Sequence, residues 1–514
     1  MTGLLTILAI LISAYSLLPD EKRLDLYLRI SWADLFLAAV PIIAILVVVY
    51  SPVILSTGYV KPVAWYWGFT EETMVFSCLL GIVGFFGWKA SGSRLPLSNY
   101  ARWDEATHQY LRSKKFHQLG YVLNKYHDQL FKVIEKDVWY VRVHRFLKPR
   151  PAILSLVANP KVPFYKPWLD RIRTLLARPF PGSCKSQERI SQSVSRLLKS
   201  PSFVEFMAET HPMVAAKATK VRLPDSEEYI SLFFKSLIAH PGSVLYRELR
   251  DNQNCSYTGE YYLDESNALL GFYLRDVEVA QEVGIWQSVG EYVIDFIKKQ
   301  RGQDNFYNKP NDGFSDGDER WNCPIFIGGL FFEVMVSVAI FQRAQDHMWL
   351  MYVDSFLEKI LDSMDRAPEV DPDREFPSRF DYLMYELFSA CGKWAGAAEY
   401  LDYSNVDPAD IEHFPEYWAA KTYGSMLRRI VKSGKLPDRQ KAYFLEIALR
   451  QMRALDQKDL RLYSRLILNN CLKEYEVAAV DQRVVTELRD LYNGVDHVLK
   501  SSQSTFETEM AKYP

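Results

Sequence analysis

Carboxylates, thiols and imidazoles are the groups of this 514-residue chain that could do chemistry, and their spacing excludes most of it. The stretch "GQDNFYNKPNDGFSDGDER" at 302–320 gathers Asp304, Asp312, Asp316, Asp318 and Glu319. A calcium loop of the EF-hand kind needs oxygen ligands in a fixed register closed by a bidentate carboxylate at its twelfth position. Counted from Asp312, the third position is Phe314 and the twelfth is Cys323, so the register fails and a flexible surface loop is expected. The six cysteines, Cys78, Cys184, Cys255, Cys323, Cys391 and Cys471, form no CxxC pair. They read as idle or buried thiols of a reducing compartment rather than as a zinc site or a disulfide framework. Among the nine histidines the closest in sequence, His108 and His117, stand nine apart with no acidic or cysteine partner in ligand register. With His127 and His144 they fall in a basic region, where surface or capping roles are expected. HExxH, a glycine-rich phosphate loop, a dinucleotide fingerprint and a nucleophile elbow are all missing from the sequence. The expectation is a non-enzymatic chain without metal or cofactor.

One carboxylate sits in unusual company. Glu333 lies at the centre of "PIFIGGLFFEVMVSVAIF", 324–341, whose apolar length approaches that of a membrane span. A charge at mid-bilayer is costly. The run is therefore expected to be a core helix with Glu333 satisfied by a partner.

The elements that position everything else begin with three apolar runs, at 4–18, 32–55 and 74–88, the third reaching span length, about 70–88, when extended back toward "AWYWGFTEET". A helix needs about 20 mainly apolar residues to cross roughly 30 Å of hydrocarbon. The second run meets that length. The first carries neither a basic n-region nor an A-x-A-like site, so a span is favoured over a cleaved signal peptide. Lys22, Arg23 and Arg29 follow the first run, Lys61 alone follows the second, and Lys89, Arg94, Arg102, Arg112, Lys114 and Lys115 follow the third. Because short cytoplasmic loops are enriched in Lys and Arg, this pattern predicts three spans with the amino terminus outside and the large carboxy-terminal part in the cytosol. Gly81, Gly84 and Gly87 share one face of the third helix, a face that lets another backbone approach. Pro41 removes a donor inside the second helix and is expected to kink it.

Beyond the spans the charge divides sharply. Residues 89–225 hold 25 Lys/Arg against 10 Asp/Glu, and residues 226–514 hold 32 against 47. The first set has three readings: contact with anionic lipid, tracking of a nucleic-acid backbone, or pairing with the acidic half. Apolar residues recur at helical spacing from Tyr100 to about Arg150, proline-marked turns crowd 148–185, and amphipathic helices then continue to the end. Ser202 is the expected cap of "FVEFM", and Asp225 or Ser226 of "EEYISLFFKSLIAH". Strict alternation is rare, so strands should be scarce. A chain of this length exceeds one core of about 250–300 residues. The expected division is a transmembrane segment at 1–90, a basic helical region at 91–225, a helical core with the polar loop at 226–370, and an irregular helical array at 371–514.

A compact set of closely packing spans fused to a large helical body of split charge resembles the membrane effectors of bacterial anti-phage systems, including the two- to three-span toxins of retrons and related abortive-infection systems. The resemblance covers residues 1–88 and the general nature of the helical body after them. It implies a multi-pass inner-membrane protein restrained by a cytosolic partner, such as a reverse transcriptase bound to its RNA and DNA. Release then lets the spans, associating between copies, damage the lipid bilayer. The competing expectation is an inner-membrane scaffold or receptor that assembles cytosolic proteins.

Overall fold

The computed structural model describes residues 13, 15–50, 53, 56, 70–92, 94–96, 99–136, 143, 146, 184–255, 259, 261–345, 349–403, 406–473, 479–500 and 504–513. Most of the first apolar run, His144 and nearly all of 148–185 lie outside them. The protein is mainly helical: the described residues hold 22 α-helices and two strands of two residues each. Contacts divide the chain into one unit, Met1–Ser226, and a second, Glu227–Pro514.

In the first unit the helices are α1 (Asp20–Arg29), α2 (Trp32–Val49), α3 (Glu71–Ser91), α4 (Tyr100–Arg112), α5 (Phe116–Glu135), α6 (Lys185–Leu198), α7 (Pro201–Thr210) and α8 (Pro212–Thr219). Sequence dictates where the two apolar helices begin. At α2 the Ser31 hydroxyl accepts from the Asp34 amide at 3.1 Å while the Asp34 carboxylate accepts from the Ser31 amide at 2.8 Å, a reciprocal cap. At α3 the Thr70 hydroxyl accepts from the Thr73 amide. The two helices pack on each other through Ile45, Leu79 and Ile82, backed by Val75, Cys78 and Phe86. Most of their surface stays uncovered, only 17% of the window of α2 and 6% of that of α3 being buried. Both are long and apolar enough to cross a membrane. Pro41 lies within the continuous helix α2.

The remaining helices of this unit are amphipathic, and their apolar faces converge. Trp103 of α4, Val122, Tyr126 and Leu130 of α5, and Ile190, Val194 and Leu197 of α6 are all buried. Each such side chain contributes about 1.5–3 kcal/mol on leaving water. Gly120 lets α5 approach α7, since a Cβ there would stand 2.7 Å from the Phe206 ring. Ser202 does not cap α7. Pro201 occupies the first helical position instead, where its fixed φ is already helical and its missing N–H costs nothing.

In the second unit the helices are α9 (Ser226–Ala239), α10 (Val244–Asp251), α11 (Ala268–Leu274), α12 (Val277–Val283), α13 (Ile285–Lys298), α14 (Pro324–Phe341), α15 (Leu350–Ser363), α16 (Arg379–Gly396), α17 (Pro415–Lys432), α18 (Asp438–Gln457), α19 (Arg461–Leu472), α20 (Gln482–Asn493), α21 (His497–Lys500) and α22 (Ser504–Met510). From α13 to α20 each helix packs on the next and on the next but one: α13 on α15, α15 on α17 and α17 on α19 in one row, and α14 on α16, α16 on α18 and α18 on α20 in the other. That is a two-layered helical array. Its rows are held close by missing side chains. A Cβ on Gly424 would lie 2.1 Å from the Ile467 carbonyl oxygen, so the backbones of α17 and α19 touch.

The apolar helix α14 belongs to this core, with 72% of its window buried. Glu333 is ion-paired there with Lys393, the ammonium standing 3.5 Å from Oε1. The strands Asn254–Cys255 and Tyr261–Tyr262 pair antiparallel. The 302–320 stretch is packed rather than a free surface loop, because it buries Tyr307, Asn308 and Phe314. Asn308 donates to the carbonyls of Gly302 at 3.0 Å and Ser363 at 3.2 Å and accepts from the Asp365 amide at 2.8 Å, which ties the loop to the end of α15. Of its acids, Asp312 pairs with Arg374 at 3.1 Å and Asp318 with Arg250 at 3.8 Å.

Candidate functional site

The polar groups gathered most tightly in the first unit stand at the base of the α2–α3 hairpin. Asp25 and Arg29 occupy positions i and i+4 of α1, one above the other on the same helix face. Both are buried, Arg29 to 2% exposure. The Arg29 guanidinium donates to both Asp25 carboxylate oxygens, at 3.3 and 2.6 Å, and to the Tyr126 hydroxyl of α5 at 2.7 Å. Its remaining nitrogen donates to the carbonyls of Lys89 at 2.8 Å and Ala90 at 2.9 Å. Those carbonyls end α3, where a helix leaves its last four C=O groups without partners and carries partial negative charge. One side chain therefore joins α1, the end of α3 and the amphipathic helix α5.

Neighbouring groups complete the junction. Tyr126 donates to Asp25, and Lys125 reaches the same carboxylate at 2.8 Å. Asn99 donates to the carbonyls of Leu28 at 2.8 Å and Ile30 at 3.0 Å, and Arg102 also donates to Ile30. Gln129 of α5 grips both backbone groups of Leu95, at 2.9 and 2.7 Å, and so pins the segment between α3 and α4. Lys89 pairs with Asp34 at 2.8 Å, tying the end of α3 to the start of α2. Exposed Trp88 stands beside this pair, its ring centre 5.4 Å from the Lys89 ammonium, and exposed Trp32 lies under the Arg102 guanidinium.

The electrostatics are self-consistent. Burial works against the Arg29 charge, but the hydrogen bonds to Tyr126 and Asp25, together with the Asp25 charge, hold its pKa above the ordinary arginine value. Burial, reinforced by the Asp25 carboxylate, likewise pushes the Tyr126 phenol upward and keeps it a donor. Such a cluster holds its helices in position.

The residues singled out in the sequence fall in different places. Lys89 and Arg102 belong to the junction, whereas Arg94, Arg112, Lys114 and Lys115 are exposed around it. Other bases of this region pair locally: Arg196 with Asp104 at 3.1 Å, Lys199 with Asp225 at 2.8 Å, and Lys217 with Asp128 at 3.5 Å. Gly81, Gly84 and Gly87 lie on the exposed face of α3, where an added Cβ would meet nothing within 4 Å. They do not mediate the packing of α3 on α2. His117 and His211 flank the Phe206 ring, and burial, with His117 adding to it, lowers the His211 pKa. Of the residues that carry the junction, Asp25, Asn99 and Tyr126 were not singled out from the sequence, and Arg29 was noted there only for its charge after the first run. The i, i+4 pairing of Asp25 with Arg29 between two apolar runs is the signal that points to half of it.

In the second unit a cleft of about 480 Å³ is lined by Arg428, Arg429, Lys432, Lys435 and Lys473. Its cations are largely committed. Arg429 meets Asp354 at 3.0 and 3.1 Å and Glu358 at 3.1 Å, and Arg428 and Lys432 share Asp481 at 2.9 and 3.0 Å. The ends of α15, α17 and α19 supply further partial negative charge there. Three thiols of this unit, Cys323, Cys391 and Cys471, are buried, burial pushing Cys471 up to about 12, whereas Cys255 is exposed. Among the described residues no group of three or more His, Cys, Asp or Glu could hold a metal ion. No protein-family model, curated protein or solved structure matches the chain.

Proposed function

We propose that the chain is a membrane-anchored effector of a bacterial anti-phage system, which perturbs the inner membrane when a cytosolic partner, such as a reverse transcriptase ribonucleoprotein, releases it. The observation that carries this reading is the hairpin itself. Two apolar helices each bury one narrow face, leave the Gly81, Gly84 and Gly87 edge open, and are gripped from below by a single buried arginine. An open small-residue edge suits close packing against another span, in this case one from a second copy. The Arg29 junction is where a change in the cytosolic helices would reach the hairpin. In this reading the amino terminus is outside and the helical array faces the cytosol.

Replacing Gly81, Gly84 and Gly87 together by leucine tests it. Induced expression of the native chain should collapse the signal of a potential-sensitive dye, and the triple variant should not, with circular dichroism unchanged. Equal depolarisation by both proteins defeats the glycine-edge mechanism. A chain that leaves the potential intact under every condition is instead a scaffold, the reading favoured by the two-layered array, since such arrays present long surfaces to protein partners.

A further inference from the structure

Between α1 and α4 lies a cleft of about 380 Å³ whose walls include Asp20, Glu105, Lys115 and the rings of Tyr15, Tyr27 and Tyr110. Its charge is balanced, because Arg23 also lines it: two cations face two carboxylates. Arg23 is partly engaged, 3.4 Å from Asp20 and donating to the Tyr15 and Ser16 carbonyls. Among the described residues Lys115 makes no ion pair, Glu105 makes neither a hydrogen bond nor an ion pair, and the three tyrosine hydroxyls make no hydrogen bond. The Lys115 ammonium sits 5.7 Å from the centre of the Tyr110 ring. Burial raises the Tyr110 pKa, and Asp20, Tyr15 and Tyr27 add to the rise, as expected of groups facing one another across a single cleft.

The location restricts what can arrive. The Arg102 guanidinium lies over both Tyr27 and Trp32, at 5.6 and 5.5 Å, so the cleft is one side chain away from the exposed tryptophan that opens α2. On the membrane reading above, that is headgroup depth.

A simple anion would meet two carboxylates here, and a simple cation would meet Arg23 and Lys115. A ligand carrying both charges a few ångströms apart offends neither pair. Tyrosine faces add attraction for its cationic end. Carboxylates further favour a primary ammonium, which donates hydrogen bonds, over a quaternary one, which cannot.

We infer that this cleft binds the zwitterionic headgroup of an ethanolamine phospholipid, its phosphate toward Lys115 and Arg23 and its ammonium toward Glu105 and Asp20 among the tyrosines. The inference rests on membrane insertion alone and not on toxicity. The full chain reconstituted in nanodiscs of equal phosphatidylethanolamine, phosphatidylcholine and phosphatidylglycerol, then released for native mass spectrometry, provides the test. Retained lipid should be enriched in the ethanolamine form by about tenfold over each of the others, the effect of one charge-assisted hydrogen bond. Glu105→Gln with Asp20→Asn should erase the preference over phosphatidylcholine, and Lys115→Gln should lower retention of both zwitterions; all three sites are exposed, so the fold should hold. Equal retention of the three lipids by the native chain overturns the inference without reference to any variant. Displacement of the lipid by millimolar phosphoethanolamine as readily as by the lipid itself overturns the lipid assignment in favour of a soluble ligand. A chain that stays in solution without detergent overturns the membrane reading beneath both.

Discussion

Arg29→Met is the substitution with the largest expected local effect in the first unit. It removes a buried guanidinium that donates to Asp25, Tyr126 and two carbonyls at the end of α3. Breaking a buried ion pair by deleting one partner costs about 3–5 kcal/mol, because the other charge is left without compensation in a poorly polarisable site. The loss here should fall at the lower end of that range, since Lys125 still faces Asp25 at 2.8 Å. The two orphaned carbonyls then add to it. Amide hydrogen exchange on the full chain in mild detergent reads the effect locally. At about 1.4 kcal/mol per factor of ten, protection of amides in α1, in the last turn of α3 and around Tyr126 should fall by on the order of 10²–10³. Peptides of the second unit serve as the internal control and should be unchanged. Removing both charges, with Asp25→Leu added, should recover most of the protection, because an apolar pair of similar volume leaves no charge stranded. Protection within a factor of three of the native chain after Arg29→Met would refute the junction as the element that grips the hairpin. A double variant as damaged as the sum of its parts would refute the electrostatic account of it.

Two glycine substitutions should separate helix packing inside the chain from an open helix edge. Gly424→Ala forces a methyl onto the Ile467 carbonyl and should destabilise the second unit by about 1–3 kcal/mol in urea unfolding, while Gly84→Ala, which meets nothing, should change the unfolding midpoint little; comparable effects would show that the two glycines do not differ in their surroundings. The His211 imidazole, its pKa lowered by burial and by His117, is neutral in the native state and binds protons more readily once unfolded. Its contribution to stability is therefore complete above the ordinary imidazole value of about 6.5 and is lost as pH falls below it. Melting temperatures measured down to pH 5.5 should decline less steeply for His211→Gln, and an identical slope would remove His211 from the account.

Much of the secondary structure can be read along the chain because its cause is local. Helical spacing after Tyr100, the serine and aspartate that open α2, and the apolar runs that form α2, α3 and α14 all depend on neighbours within a few turns. Glu333 is also legible, since a carboxylate amid apolar residues requires a partner wherever the chain folds, although nothing nearby names Lys393. The loop at 302–320 differs, because its uniformly polar composition points to a free surface. Its packing comes instead from Asn308 bonding a helix end 55 residues away.

Sequence by itself determined a mainly helical chain, the apolar runs that form α2 and α3, and a sharp division between basic and acidic segments, because periodicity, length and charge are properties of contiguous residues. Only the tertiary structure decided which glycines touch another backbone and which stand open. It alone joined Arg29 to Tyr126 across 97 residues, since a buried arginine takes its partners from whichever helices the apolar faces bring together.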